Sequence, residues 1–227
     1  MRIRPLAVIF DYGNVLCGPQ DRAEVEAMAA LLQLPLDKFQ ASYWKSRLDY
    51  DKAALDPAAY WNGIANRRLA PGEIERLNQI DSQSWAHPDP VMPVWARRLR
   101  AGGMRTALLS NMPVPVRDYV QRCDWLPEFD QRTFSCDLRC AKPAREIYEH
   151  CLRGLGVAAA ETLLLDDRPE NVRAAEAMGM HGIMFTTPIA AAAELHLRFD
   201  MPVPLIAAVP SLTPGVAKVD RGDETNQ

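Results

Sequence analysis

The side chains most capable of chemistry stand where apolar runs of the sequence end. The run of residues 6–10 leads directly into Asp11, in the stretch VIFDYGNVLCG. Later apolar runs end on Ser110 and Asn111 and on Asp166 and Asp167. Lys142 precedes a proline in RCAKPAREIYEH. Because the carboxyl ends of parallel strands lie at one edge of a sheet, we expect these side chains to converge there.

Three carboxylates at such an edge would repel one another strongly in a site of low dielectric. A hard divalent cation would relieve that repulsion, and Mg²⁺ suits a site with few protein ligands and several waters. The cation and Lys142 would leave room for an anionic substrate, and Ser110 could hold phosphate oxygens. Asp11 could then attack phosphorus as a nucleophile. These residue types therefore predict Mg²⁺-assisted phosphoryl chemistry.

The elements that must position these residues follow an alternating pattern. Continuous apolar runs predict buried parallel strands, and helical patterns lie between them over residues 90–100, 143–155 and 169–178. This alternation predicts an α/β fold, a Rossmann-like, doubly wound parallel sheet. The predicted strands are residues 6–10, 106–110, 162–166 and 182–185, with a weaker one at 132–136.

The region between the first two strands breaks this alternation. It holds amphipathic segments and no convincing strand, so we predict an all-helical cap over residues 18–88. The α/β core would then comprise residues 1–17 plus 89–200. Residues 201–227 contain recurrent prolines and a polar end, and we expect them to form a poorly ordered tail.

The composition narrows the function classes. The chain has 227 residues and a net charge of -3, so no nucleic-acid or membrane partner is expected. The apolar run near the N-terminus ends on Asp11, which favours a strand over a signal peptide and predicts a cytoplasmic protein. Five cysteines without a CxxC pair predict reduced thiols, and the Cys136–Cys140 spacing lacks the second pair of a zinc site.

The segments FDYGNVL, LLSNM, AKPAREIY and LLLDDRPENV resemble, in this order, the four motifs of the haloacid-dehalogenase-like (HAD) hydrolase superfamily. The similarity extends over about residues 6–186 and favours the subfamily whose helical cap follows the first motif. FDYGNV resembles the branch of sugar-phosphate phosphatases that act on glucose 1-phosphate. The resemblance implies a Mg²⁺-dependent phosphoric monoester hydrolase that acts on a small phosphorylated metabolite, with sugar phosphates as candidates, through an aspartyl-phosphate at Asp11.

The resemblance also implies a role for each matching residue. Asp11 would be the nucleophile and a metal ligand, with the carbonyl of Gly13 as another ligand. Lys142 would stabilise the charge on nucleophile and phosphate. The remaining roles are phosphate binding by Ser110 with Asn111 beside it, direct metal binding by Asp167, indirect or supporting metal binding by Asp166, and bracing of the loop by Asn171.

One position departs from the family pattern. Most phosphatases of the superfamily carry a second aspartate two positions after the nucleophile, which protonates the leaving oxygen, and here that position is Gly13. Three hypotheses stay open: a phosphatase whose proton comes from a cap residue or water, a phosphonate hydrolase that uses a cap lysine, and a catalytically weak protein that binds a ligand or partner. The candidate lysines are Lys38, Lys45 and Lys52.

The role of the cap residues is open at this level. Tyr43, Trp44, Lys45 and Arg47 could face the site and hold a substrate, or they could pack the helical bundle and contact solvent. Cys17 follows the first motif and could line the pocket without a catalytic role. The expected partner is a small phosphorylated metabolite, and a homodimer is left open.

Overall fold

The computed structural model describes residues 4–204, and its centre is a five-stranded parallel sheet. The strand order is β3-β2-β1-β4-β5, which places the first strand in the middle with crossovers on both sides. The predicted doubly wound α/β fold is therefore confirmed. The strands are β1 (Ala7–Phe10), β2 (Arg105–Ser110), β3 (Gln131–Phe134), β4 (Thr162–Asp166) and β5 (His181–Met184).

Continuous apolar runs form these strands because helices cover both faces of the sheet. Along β1, Val8 and Phe10 belong to one hydrophobic cluster, whereas Ala7 and Ile9 belong to another on the opposite face. All four side chains are fully buried. The two clusters fix the register of β1, because a shift by one residue would exchange its two faces.

Six helices lie between β1 and β2, and the first five of them form the helical insert. Asp21 and Asp56 cap the first and fourth of them by accepting hydrogen bonds from backbone N–H groups, as N-cap residues do. Their apolar faces form a hydrophobic cluster drawn only from residues 25–80, separate from those of the sheet. These helices are α1 (Arg22–Leu31), α2 (Leu36–Lys45), α3 (Arg47–Asp51), α4 (Pro57–Ala65) and α5 (Pro71–Ser84).

The remaining helices connect or flank the strands. The helices predicted at residues 90–100, 143–155 and 169–178 are present with slightly different ends, and Asp89 caps the first by accepting from the N–H groups of Val91 and Met92. They are α6 (Met92–Ala101), α7 (Val114–Val120), α8 (Ser135–Leu138), α9 (Arg145–Leu155), α10 (Pro169–Ala177) and α11 (Pro188–Arg198).

Two sequence-based boundaries need correction or comment. The strand predicted at 132–136 ends at Phe134, because Ser135 and Cys136 begin the short helix α8. The predicted tail, residues 201–227, lies outside the described part of the chain from residue 205 onward. An isolated antiparallel bridge between Cys17 and Pro88 joins the two ends of the helical insert.

The remaining sequence-based expectations concern thiols and membranes. All five cysteines are free, as predicted. Cys17 is buried in the hydrophobic cluster against the sheet and does not line the cavity described below. Within residues 4–204, none of the helices combines the length and the apolar character that crossing a bilayer requires.

Candidate active site

The polar ends of β1, β2 and β4 meet at one edge of the sheet, as the parallel topology requires. A cavity of about 220 Å³ opens there, between the sheet and the helical insert. Asp166 is fully buried just behind its wall. The sequence-predicted residues that line the cavity are Asp11, Gly13, Ser110, Asn111, Lys142, Asp167 and Asn171.

Lys142 lies between two carboxylates at the floor of the cavity. Its Nζ is 2.8 Å from Oδ1 of Asp11 and 2.6 Å from Oδ2 of Asp166. Oδ1 of Asp11 also accepts a hydrogen bond from the backbone N–H of Tyr12, at 2.7 Å. The other oxygen, Oδ2 of Asp11, has no hydrogen-bond partner among residues 4–204, so it is the oxygen available to a ligand.

Burial and charge shift the pKa values of this group in a consistent way. Desolvation is the main cause that raises the pKa of Asp11 to about 7, and repulsion by Asp166 and Asp167 adds to it, whereas the attraction of Lys142 opposes it. Burial disfavours the charge on Lys142, but attraction by Asp11 and Asp166 outweighs it and raises the lysine pKa. The single ammonium group of Lys142 therefore cannot neutralise the charge of all the carboxylates around it.

Asp166 is held in place by a shell of hydrogen bonds. Its Oδ1 accepts from the side-chain amide of Asn171 and from the backbone N–H of Arg168, both at 2.9 Å. The carbonyl of Asn171 in turn accepts from the hydroxyl of Tyr148 at 3.0 Å. The bond from Asn171 ties the start of α10 to the end of β4, where the sequence led us to expect a bracing residue.

Asp167 completes a cluster of three carboxylates. One oxygen from each of Asp11, Asp166 and Asp167 lies within 4.8 Å of the others. Oδ2 of Asp167 accepts from the side-chain amide of Asn14, at 2.8 Å, and burial raises the pKa of Asp167. This set of hard oxygen donors, with negative charge in excess of the single lysine, fits a hard divalent cation such as Mg²⁺.

Ser110 and Asn111 differ in how their side chains are used. The Ser110 hydroxyl lies in the cavity wall and makes no hydrogen bond within the described part of the chain. The Asn111 side chain instead donates to the carbonyl of Lys142 at 2.9 Å and accepts from its N–H at 2.8 Å. Asn111 thus fixes the backbone that carries the lysine, while the serine hydroxyl is available to a ligand.

An indole ring covers the position where most family phosphatases carry their acid. A Cβ atom added to Gly13 would lie 3.4 Å from Cζ3 of Trp85. Trp85 follows α5 of the helical insert and lines the cavity beside Trp44. A Cβ at position 13 would therefore be in van der Waals contact with this ring, and no pattern in the sequence points to Trp85.

The helical insert contributes further side chains to the wall. Arg47 and Asp51 reach the cavity from α3, and Nε of Arg47 donates to Oδ1 of Asp51 at 2.8 Å. Arg47 had been one of several open candidates, whereas Asp51 was missed. The i,i+4 spacing of a basic and an acidic residue in RLDYD was the available signal.

The other candidates of the insert divide between packing and solvent. Tyr43 is buried inside the helical cluster, whereas Lys38 and Lys45 are exposed and lie outside the cavity wall. Lys52 pairs with Asp49 at 3.2 Å and does not line the cavity either. The lysine needed for phosphonate hydrolysis is therefore not supplied by any of the three.

The chain resembles known proteins in sequence. A family model described as haloacid dehalogenase-like hydrolase matches residues 6–179. The sesquiterpene phosphatase astK of Aspergillus oryzae is 28% identical over 193 residues, which cover 84% of this chain and 94% of that protein.

Solved structures share the fold. A protein described as a predicted HAD-like family hydrolase from Porphyromonas gingivalis superposes with a TM-score of 0.68 at 22% identity, covering 88% of this chain and all of that one. The HAD family enzyme BT-2542 from Bacteroides thetaiotaomicron, in complex with magnesium and inorganic phosphate, gives a TM-score of 0.65 at 20% identity, covering 81% and 94% of the two chains.

Proposed function

The chain belongs to the haloacid dehalogenase-like hydrolase family, and on that premise we propose that it is a Mg²⁺-dependent phosphoric monoester hydrolase acting through an aspartyl-phosphate at Asp11. One observation carries the proposal. Asp11 stands at the end of the central strand with Oδ1 held by Lys142 at 2.8 Å and Oδ2 available to the cavity. A carboxylate fixed in this way has one orientation for attack on a phosphorus atom.

The family relatives support both the reaction and the cation. The sesquiterpene phosphatase is a phosphatase by name, and the Bacteroides enzyme binds magnesium and inorganic phosphate. We propose that Asp11, Asp167 and the carbonyl of Gly13 hold Mg²⁺, with Asp166 in support. When bound, the cation would neutralise charge on the phosphoryl oxygens.

The chain's own residues would carry the reaction as follows. Oδ2 of Asp11 attacks phosphorus, the ester bond to the leaving oxygen breaks, and water later releases phosphate from Asp11. Lys142 keeps Asp11 oriented and lowers the repulsion between its carboxylate and an incoming phosphate. Ser110 donates its hydroxyl to a phosphoryl oxygen. Asn111 acts through Lys142, because its amide is bonded to the lysine backbone.

We propose that residues 18–88 form a cap that bounds the leaving-group side of the cavity. Its support is the separate hydrophobic cluster of the insert and the bridge between Cys17 and Pro88 that closes its base. The wall on this side includes the rings of Trp44 and Trp85, and Met112 and Val116 from the core. This wall suits a leaving group with an apolar face, which both sugar phosphates and prenyl phosphates possess.

The test is a screen for release of inorganic phosphate. The purified protein is incubated with sugar 1-phosphates, sugar 6-phosphates, prenyl phosphates and 4-nitrophenyl phosphate, with excess Mg²⁺ or with EDTA. We expect release only with Mg²⁺, and Asp11→Asn should lower it by about 10⁴-fold or more because the nucleophile is lost. Lys38→Met, in an exposed lysine, is the matched control and should retain wild-type rates.

Two results would contradict the proposal. If Asp11→Asn hydrolysed phosphate esters at close to the wild-type rate, Asp11 would not be the nucleophile. A wild-type protein that binds inorganic phosphate but hydrolyses no ester at saturating Mg²⁺ would favour the hypothesis of a ligand-binding protein instead.

A further inference from the structure

A phosphatase of this kind needs a proton donor for the leaving oxygen, and position 13 cannot provide one. Gly13 has no side chain, and the ring of Trp85 lies beside this position. General acid catalysis contributes roughly 10²- to 10⁴-fold, which is a large loss to leave uncompensated for esters with poor leaving groups. The donor should therefore be another titratable group in the wall of the same cavity.

The titratable groups of the core wall are all otherwise engaged. Asp11 is the proposed nucleophile, Asp167 belongs to the carboxylate cluster, and the ammonium of Lys142 is shared by Asp11 and Asp166. The hydroxyl of Tyr12 donates to the carbonyl of Trp85, and burial raises the tyrosine pKa far above its ordinary value. Arginines do not release protons in this pH range. Among residues 4–204, Asp51 in α3 of the insert is then the one titratable group of the cavity wall that is left.

We propose, on the basis of the function proposed above, that Asp51 is the catalytic acid and base of this enzyme. As the acid, its protonated carboxyl gives a proton to the leaving oxygen while Oδ2 of Asp11 bonds to phosphorus and the phosphorus–oxygen ester bond breaks. As the base, the resulting carboxylate takes a proton from water. The water oxygen then bonds to phosphorus, and the electron pair of the broken bond returns to Asp11.

The hydrogen bonds around Asp51 leave one oxygen open for this task. Its Oδ1 accepts from Nε of Arg47, whereas Oδ2 has no partner among the residues described. The side chain is 10% exposed, and it lines the cavity that also contains Asp11 and Ser110. Oδ2 of Asp51 is therefore the oxygen available to a ligand in this cavity.

The hydrogen bonds around Arg47 satisfy Asp81 better than Asp51. Arg47 contacts two carboxylates, Asp51 and Asp81, so the three groups carry one negative charge too many. Both carboxylate oxygens of Asp81 accept from Nη1 of Arg47, at 3.0 and 3.1 Å, and Oδ1 also accepts from the hydroxyl of Tyr43 at 2.6 Å. Asp51 accepts fewer hydrogen bonds than Asp81, and burial raises the pKa of Asp51 to about 6.

A hydrogen bond to the core holds Asp51 in position. The hydroxyl of the fully buried Ser135 donates to the carbonyl of Asp51 at 2.6 Å and accepts from the N–H of Met112 at 2.9 Å. Met112 lies in the loop after β2, two residues beyond Ser110 at the end of that strand. Ser135 thus links the end of α3 to the loop that directly follows the proposed phosphate-binding Ser110.

The experiment compares esters that do and do not need a proton donor. Wild type and Asp51→Asn are assayed with an alkyl phosphate and with 4-nitrophenyl phosphate, whose leaving group is stable without a proton. We expect kcat/KM for the alkyl ester to fall by roughly 10²- to 10³-fold in the variant. A rapid burst of 4-nitrophenolate should persist and be followed by slow turnover, because attack by Asp11 is retained and the water step is impaired.

Controls separate this role from a structural one. Asp49→Asn alters an exposed carboxylate of the same helix and should leave both esters unaffected. Ser135→Ala should weaken the alkyl-ester reaction more than the burst, since it loosens the backbone of Asp51. Loss of both reactions together in folded Asp51→Asn, or alkyl-ester rates within threefold of wild type, overturns the assignment. A wild-type protein that hydrolyses neither ester overturns the proposed function itself.

Discussion

Two buried clusters of charge line the same cavity, one from the sheet and one from the helical insert, and both place a cation between two carboxylates. In the core, Lys142 bridges Asp11 and Asp166. In the insert, Arg47 bridges Asp51 and Asp81. The two clusters differ in what surrounds them, and that difference is the basis for proposing a metal ion at the core cluster and none at the insert cluster.

The core cluster has a third carboxylate within reach, whereas the insert cluster has hydroxyls and aromatic rings. Asp167 adds negative charge beside Asp11 and Asp166. In the insert, Tyr43 donates to Asp81 and its ring lies 4.8 Å from the guanidinium carbon of Arg47. The guanidinium therefore gains from a hydroxyl and a ring face, which keep the cluster stable without a further cation.

The largest expected effect is that of Lys142→Met, which removes the only cation of the core cluster among the described residues. Three carboxylates are then left without a counter-charge, so we expect the free energy of unfolding to fall by about 4–5 kcal/mol. Phosphatase activity should fall at least 10³-fold, on the order of losses for groups that stabilise charge in the transition state. Urea unfolding and phosphate release measure the two effects.

The metal dependence of that variant sharpens the comparison. If the carboxylates hold Mg²⁺, excess Mg²⁺ should restore part of the lost stability of Lys142→Met, because a ligand that binds only the folded state stabilises it. Equal unfolding midpoints of this variant in Mg²⁺ and in EDTA would contradict a cation site at this cluster. Lys38→Met, in an exposed lysine, should show wild-type stability.

Arg47→Met tests the insert cluster in the same way and should be somewhat less damaging. Asp51 and Asp81 lose their shared partner, which we expect to lower the free energy of unfolding by about 3–4 kcal/mol. Asp51 can take up a proton, and the Tyr43 hydroxyl still bonds Asp81, so part of the cost is avoided. Mg²⁺ should give this variant no more stability than it gives the wild type.

The comparison fails if Mg²⁺ stabilises the two variants equally. If excess Mg²⁺ rescues Arg47→Met as well as Lys142→Met, the insert cluster is itself a cation site and the contrast drawn above is wrong. Arg22→Met is the matched control, because Arg22 belongs to the same insert and its side chain is 84% exposed.

The two clusters also differ in how far they could be predicted from the sequence. Asp11, Asp166 and Asp167 each end a continuous apolar run, and parallel topology sends such ends to one edge, so the core cluster could be predicted. The insert cluster joins α2, α3 and α5 through side chains distant in sequence, such as Arg47 and Asp81. Helical periodicity shows which residues are amphipathic but does not give helix packing, and therefore Asp51 and Trp85 were missed.

The next largest effect is a pH dependence at Asp51. Burial and repulsion by Asp81 raise its pKa from an ordinary 3.8 to about 6, against the attraction of Arg47 in α3 and Arg168 before α10. The folded state thus holds this proton more tightly than the unfolded state, so the stabilisation is present near pH 4 and lost as pH rises through 6. The loss amounts to about 2–3 kcal/mol.

Asp51→Asn removes this titration because an amide stays neutral. Relative to the wild type, its free energy of unfolding should therefore rise by about 2–3 kcal/mol between pH 4 and pH 7. Asp11, whose pKa is also raised, is present in both proteins and cancels in the difference. Urea unfolding at several pH values measures the trend, which a constant difference across the range would refute. Asp49→Asn should show no trend.

The smallest effect concerns the hydroxyl of Tyr43, which joins the insert cluster to the ring above Gly13. It donates to Asp81 at 2.6 Å and accepts from Nε1 of Trp85 at 3.3 Å. Tyr43→Phe removes a bond to a buried carboxylate, so we expect a loss of about 1.5–2 kcal/mol. The urea midpoint should fall while the m-value stays constant, because the surface exposed on unfolding hardly changes.

The matched control is Tyr119→Phe, whose hydroxyl has no hydrogen-bond partner within residues 4–204 and which should change stability by less than about 0.5 kcal/mol. If Tyr43→Phe is equally harmless, the hydroxyl does not support the cluster, and Arg47 alone holds Asp81. A loss in Tyr43→Phe with Mg²⁺ binding unchanged would instead show that the two clusters, although they line one cavity, are stabilised independently. That outcome is the one the contrast between them requires, because the proposed Mg²⁺ would balance the core cluster, whereas the insert cluster is balanced by its own side chains.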